Sequence, residues 1–170
     1  ALEWAVPLGV RQLNCPAGIV PTGADPARCM DALAGNLRHA AERLALHGIR
    51  LQLEPVNRRD MPGAIVATTA EYEDVAVRVG SDNLFLQYDF YHMQIMQGDL
   101  EPGFLRLLPR INHLQVADTP GRHEPGTGEI NYAFVLGQVA RSGYAGWIGL
   151  EYAPATVVAQ GLGWMQDLRA

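Results

Sequence analysis

Four side chains able to bind a hard cation stand at or near the ends of short apolar runs. Glu54 follows LQL, Asp89 follows LFLQY, Gln115 lies in INHLQV, and Glu151 follows WIGL. In parallel α/β folds the C-terminal strand ends converge on the site. Three carboxylates and an amide gathered there would repel one another unless a cation neutralised them. The set is all oxygen, with no Cys, which suits Mg²⁺ or Mn²⁺ better than a closed structural Zn²⁺ site. One acidic residue at a strand end reads equally well as a cap for the next helix. Such residues on successive strands, each in an apolar setting, point to a shared centre.

The elements that must position these groups recur at βα spacing. Val10–Cys15, Arg50–Glu54, Leu84–Asp89, Ile111–Val116 and Trp147–Glu151 read as parallel strands buried on both faces. Between the first two, residues 25–47 place Met30, Leu33, Leu37, Ala41 and Leu44 on one helical face. Asp25 is the expected N-cap, Pro26 the first helical position and Gly48 the stop. Thr69–Val79 opens on a capping-box pattern, Thr68 or Thr69 with Glu71 or Glu73, and ends at Gly80. Helices are also expected over Asn131–Ser142 and Thr156–Leu168, and the opening ALEWAVPLG reads as a helix end. The alternation predicts one α/β domain over residues 1–170, built on a parallel sheet. A complete (β/α)₈ TIM barrel takes roughly 200–250 residues, so an incomplete barrel of about five βα units is the expectation.

Composition narrows the chemistry. The 170 residues are 48% hydrophobic and 18% charged, ordinary globular material. All 13 basic residues are Arg, so no side chain of this chain can form a Schiff base with a carbonyl. The net charge of −5 and the dispersed arginines offer no stripe for a phosphate backbone, and nucleic acid is not expected as a partner. No apolar run approaches the length of about 18 residues that a membrane span needs. With no signal-peptide pattern at its start, the chain is expected to be cytoplasmic. Cys15 and Cys29 have neither metal-site spacing nor disulfide density, and read as thiols.

The segments LEPVNRRDMPG (53–63), LQYDFYHMQIMQG (86–98), INHLQVADTPGRHEPGTGEINY (111–132) and GWIGLEY (146–152) resemble hydroxypyruvate isomerases, members of the xylose-isomerase-like barrel superfamily. The likeness runs from NCPAG (14–18) to GLGWM (161–165). It implies a (β/α)₈ barrel of which strands four to eight are present and the N-terminal third is missing. It implies Glu54, Asp89, Gln115 and Glu151 as ligands of Mg²⁺ or Mn²⁺, and Glu54 and Glu151 as the paired proton-transfer groups. It also implies an isomerase of carbohydrate and glyoxylate metabolism acting on a small hydroxy-keto acid. Related ketose 3-epimerases usually carry His at the third ligand position, where this chain has Gln115. Moving a carbonyl to the next carbon needs a base, an acid and an electrophile for the developing oxyanion.

His92, three residues after Asp89, is a candidate to bind a substrate oxygen, or else a helix-start histidine bonded to backbone. Asp60 is a candidate for a substrate hydroxyl, or a loop residue before Pro62 and Gly63. Arg122 is suited to a substrate carboxylate. His113 reads as a core histidine that alternation points the same way as Gln115. Trp147, Tyr152 and Trp164 read as packing, and Glu129 as a supporting or capping group. Isomerisation of a 2-oxo-tetronate, sugar 3-epimerisation, and an inactive remnant or interaction module are the competing functions. An apurinic endonuclease would want a His-rich zinc site and a basic face. An unclosed barrel exposes sheet edges and interior surface, so the isolated chain is expected to be poorly soluble, oligomeric (a homo-oligomer) or inactive.

Overall fold

The computed structural model describes residues 1–167. Five strands, β1 (Gln12–Asn14), β2 (Arg50–Leu53), β3 (Leu84–Asp89), β4 (Ile111–Val116) and β5 (Trp147–Leu150), form one sheet in sequential order. Every neighbouring pair is parallel, as crossover connections through helices require. This is an open portion of a TIM barrel. Among the described residues, no helix is long and apolar enough to cross a membrane.

The helices are α1 (Leu2–Ala5), α2 (Pro26–Ala45), α3 (Thr69–Val79), α4 (Phe90–Met96), α5 (Leu100–Leu107), α6 (Tyr132–Arg141) and α7 (Trp164–Asp167). Helix α2 starts as its sequence dictates. Asp25 accepts the Ala27 N–H at 2.9 Å, and Leu33, Ala34, Leu37, Ala41 and Leu44 form its buried face. Helix α3 carries the capping box between Thr68 and Glu71 and ends on Gly80, whose φ of 62° suits a residue without Cβ.

Alternation along the strands sorts the side chains. Leu51, Leu53, Leu84, Leu86, Tyr88, Leu114 and Val116 are buried in the apolar core. Tyr88, Phe90, Phe104 and Tyr132 continue it as an aromatic cluster with Phe90 in the middle, its ring edge-on to Tyr88 at 5.2 Å and tilted against Phe104 at 6.0 Å. At the junction of β3 and β4, Leu86 pairs with Ile111 but Gln87 pairs with His113, skipping Asn112. That bulge brings Asp89 level with Gln115.

Three expectations needed correction. Burial on both faces holds for the inner strands but not for the edge strands β1 and β5, each of which has one strand neighbour in this sheet. There Trp147 is 78% exposed, so it does not pack. The helix expected over Thr156–Leu168 is broken, leaving a 3₁₀ turn at Gln160–Leu162 and the short α7, with Leu168 outside the described residues. Gly161 and Gly163 lie inside that window, and each weakens a helix by about 1 kcal/mol relative to Ala. Helices α4 and α5 were not expected, although Leu100, Phe104 and Leu107 stand at helical spacing and form the buried face of α5.

Candidate metal centre

Glu54 and Asp89 meet at the C-terminal end of the sheet, and each has one carboxylate oxygen with no hydrogen-bond partner. Glu54 Oε2 accepts from Gln87 Nε2 at 2.7 Å and from Asn14 Nδ2 at 3.1 Å. Asp89 Oδ1 caps α4 by accepting the Tyr91 N–H at 2.8 Å, so the helix-cap reading is correct for that one oxygen. Glu54 Oε1 and Asp89 Oδ2 are buried and unpartnered. An orphaned anionic oxygen away from water is costly; two of them facing one place fit a cation.

Their electrostatics say the same. Burial, and then the charges of Asp89 and Glu151, push Glu54 up to about 8. Burial pushes Asp89 up to about 7, although the Tyr91 N–H and Arg122 favour its charged form. His92 completes the cup: ligand-capable atoms of Glu54, Asp89 and His92 lie within 4.8 Å of one another. Its Nε2 is 3.8 Å from Glu54 Oε1 and 3.7 Å from Asp89 Oδ2. Burial, helped by the Arg122 charge, lowers His92 to about 4, so the ring is neutral.

Gln115 and Glu151 join the cup through hydrogen bonds. Gln87 Nε2 donates to Gln115 Oε1 at 2.6 Å as well as to Glu54, and Gln115 Nε2 donates to Glu151 Oε2 at 2.6 Å. Glu151, just past β5, is half exposed. Below Gln115, His113 fills the space that Gly149 leaves: a Cβ at Gly149 would meet His113 Nε2 at 2.8 Å. His113 thus points as alternation required.

Arg122 reaches over the same site. Its Nη2 lies 3.1 Å from Glu151 Oε2 and 3.9 Å from Asp89 Oδ2, and its guanidinium stacks 5.1 Å from the Tyr91 ring centroid. The backbone there is left-handed, with φ 56°, an uncommon state for a residue with a Cβ. The loop is pinned by buried Asp118, which accepts the N–H groups of Thr119, Gly126 and Ile130. Asp60 sits beside the cup and is engaged locally, accepting from Tyr91 Oη at 2.5 Å and from Asn57 Nδ2 at 3.1 Å. Glu129 pairs with Gln94 at 3.2 Å on the surface. Tyr152 and Trp164 pack as expected, hydrogen-bonded at 3.2 Å. Cys15 and Cys29 are free thiols.

Sequence reasoning missed Asn14, Asn57, Gln87 and Tyr91. Gln87 was accessible, because it lies two residues before Asp89 and a strand places such residues on one face.

Residues 1–168 match the family model described as Xylose isomerase-like TIM barrel. The chain is 41% identical over 169 residues to the hydroxypyruvate isomerase of Escherichia coli, covering 99% of this chain and 66% of that protein. It is 40% identical over 166 residues to the 2-oxo-tetronate isomerase of Cupriavidus necator, covering 98% and 64%. A crystal structure described as AP endonuclease, family 2, from Brucella melitensis superposes with a TM-score of 0.92 at 38% identity, covering 98% of this chain and 64% of that one. The chain therefore spans slightly less than two thirds of the length of these relatives.

Proposed function

This chain belongs to the xylose isomerase-like TIM barrel family, and from that premise we propose that it carries the metal and proton-transfer centre of a hydroxypyruvate isomerase. The reaction interconverts hydroxypyruvate and tartronate semialdehyde. One proton leaves C3 and one is delivered to C2, while the hydroxyl proton passes from the C3 oxygen to the C2 oxygen. The carbonyl thereby moves from C2 to C3 through an enediolate.

Glu54, Asp89, Gln115 and Glu151 would hold one divalent cation, Mg²⁺ or Mn²⁺. When bound, the cation supplies an electrophile for the oxyanion and offsets the carboxylate charges. Glu54 and Glu151 take the two proton-transfer roles. Glu54 suits its role because its carboxylate is buried in the cup and held there through Oε2 by Gln87 and Asn14. His92 Nε2 faces the same cup and serves a substrate oxygen, and Arg122 pairs with the substrate carboxylate. Asp60 orders the loop beside them through Asn57 and Tyr91, and would meet a substrate hydroxyl.

The observation that carries this reading is the pair of buried oxygens without donors, Glu54 Oε1 and Asp89 Oδ2. The test follows hydroxypyruvate by NMR with the chain, in chelator and then with Mg²⁺ or Mn²⁺ restored. Turnover that disappears in chelator and returns with metal is expected. A folded, metal-supplied chain that turns over nothing in either condition would mark a barrel remnant or interaction module.

A second substrate, a 2-oxo-tetronate, is favoured by the name of the Cupriavidus necator relative. It differs by one carbon and one hydroxyl, and parallel assays rank the two by kcat/KM. Ketose 3-epimerisation is disfavoured by Gln115 at the third ligand position. The net charge of −5 favours a small substrate over the DNA implied by the name of the Brucella neighbour.

A further inference from the structure

Asn57 is fully buried in the turn after β2, and its hydrogen bonds leave no freedom in its amide. Its Oδ1 accepts the Asp60 N–H at 2.8 Å, which fixes Nδ2 as the other terminus. That Nδ2 lies 3.1 Å from Asp60 Oδ2 and 2.7 Å from His92 Nδ1. The Asn57 backbone N–H also points at His92 Nδ1, at 3.2 Å. Two donors therefore converge on one ring nitrogen. A proton on Nδ1 would set hydrogen against hydrogen, so the single ring proton is on Nε2.

Nε2 is the nitrogen that faces Glu54 Oε1 and Asp89 Oδ2. Residue types and distances alone would group Glu54, Asp89 and His92 as a three-ligand metal site. A ligand nitrogen needs a free lone pair, and a metal-bound histidine normally donates from its other nitrogen to an acceptor. Here the other nitrogen accepts, which is the reverse arrangement.

We propose that Asn57 is a positioning residue that sets the His92 tautomer, holding His92 as a hydrogen-bond donor to the substrate and keeping it out of the cation's ligand set. The substrate role rests on the isomerase reading above; the tautomer stands on the hydrogen bonds alone. A neutral N–H aimed into a buried cup stabilises an oxygen that gains negative charge without adding another cation.

The test is long-range ¹H–¹⁵N correlation on the ¹⁵N-labelled full chain, with the His92 signals assigned by comparison with His92→Gln. The expected spectrum has an unprotonated Nδ1 and a protonated Nε2, unchanged on adding Mg²⁺. A ring proton on Nδ1, or an Nε2 that loses its proton on adding Mg²⁺, overturns the proposal. Asn57→Asp puts an acceptor where the donor was, and is expected to move the ring proton onto Nδ1 or protonate both nitrogens. It should lower kcat by about 10²-fold with KM changed much less. Asn57→Ala, which keeps the backbone donor, should fall between the two. A folded Asn57→Asp variant whose His92 keeps the original pattern contradicts the assignment. If Asn57→Asp does not fold, the unmodified chain's spectrum still decides. The expected ring pattern in a chain without isomerase turnover supports the role of Asn57 in setting the tautomer and overturns the isomerase reading instead.

Discussion

Gln115 donates its amide N–H to Glu151 Oε2 at 2.6 Å, tying a side chain on inner strand β4 to a carboxylate just past edge strand β5. Glu54 is held by donors from Gln87 and Asn14 and Asp89 by its cap on α4, whereas Glu151 is half exposed and depends on this bond and on Arg122. Gln115→Met removes the tether and a candidate ligand oxygen while keeping the chain length. Mn²⁺ affinity, read by EPR titration, is expected to fall roughly 10- to 100-fold, the range typical of such supporting contacts. Unchanged affinity would remove Gln115 from the site.

Metal-free stability should fall as pH rises. Glu54 and Asp89 titrate near 8 and 7 in the folded chain, above their ordinary carboxylate values. Between those values the folded state binds more protons than the unfolded one, so stability present at acid pH is lost as pH climbs through 7 and 8. Thermal melts in chelator are expected to give a lower Tm at alkaline than at mildly acidic pH. Glu54→Gln should flatten that slope and raise the metal-free Tm at alkaline pH, while weakening Mn²⁺ binding. A metal-free Tm that rises across the same interval would reverse the sign assigned to these carboxylates.

Gly149 is required by its neighbour. An added Cβ would sit 2.8 Å from His113 Nε2 and 3.4 Å from Gln115 Cγ. Gly149→Ala is expected to cost about 1–3 kcal/mol through overpacking against the His113 ring, seen as a lower Tm. An unchanged Tm would mean that the ring moves aside at no cost.

Arg122→Lys keeps the charge but loses the planar fork and its stacking on Tyr91. Steady-state kinetics with hydroxypyruvate should show KM raised about tenfold, equivalent to about 1.4 kcal/mol, with a smaller change in kcat. The opposite split, with kcat lost and KM kept, would place Arg122 on the transferring atoms instead of the carboxylate.

The placement of the strand-end residues was legible because strands β2 to β4 are apolar runs that stop at the candidate site, and alternation carries Gln87, Asp89, His113 and Gln115 to one face. Asp89 was half legible: one oxygen caps α4, as a local reading allows, and the other belongs to the cup. The contact between Asn57 and His92 was not legible, since it depends on a turn that brings residue 57 against residue 92. Trp147 was misread because its burial depends on what lies beside β5, and no local pattern reports that. The broken stretch after Thr156 shows glycines overriding an apolar pattern.

The central claim, that Glu54, Asp89, Gln115 and Glu151 share one cation, is tested most directly by anomalous scattering from a crystal grown with Mn²⁺. A single peak is expected at about 2 Å from Glu54 Oε1 and Asp89 Oδ2, with Gln115 and Glu151 oxygens completing the shell and His92 Nε2 outside it. A peak elsewhere, or none at saturating Mn²⁺ with those oxygens still unpartnered, would contradict it.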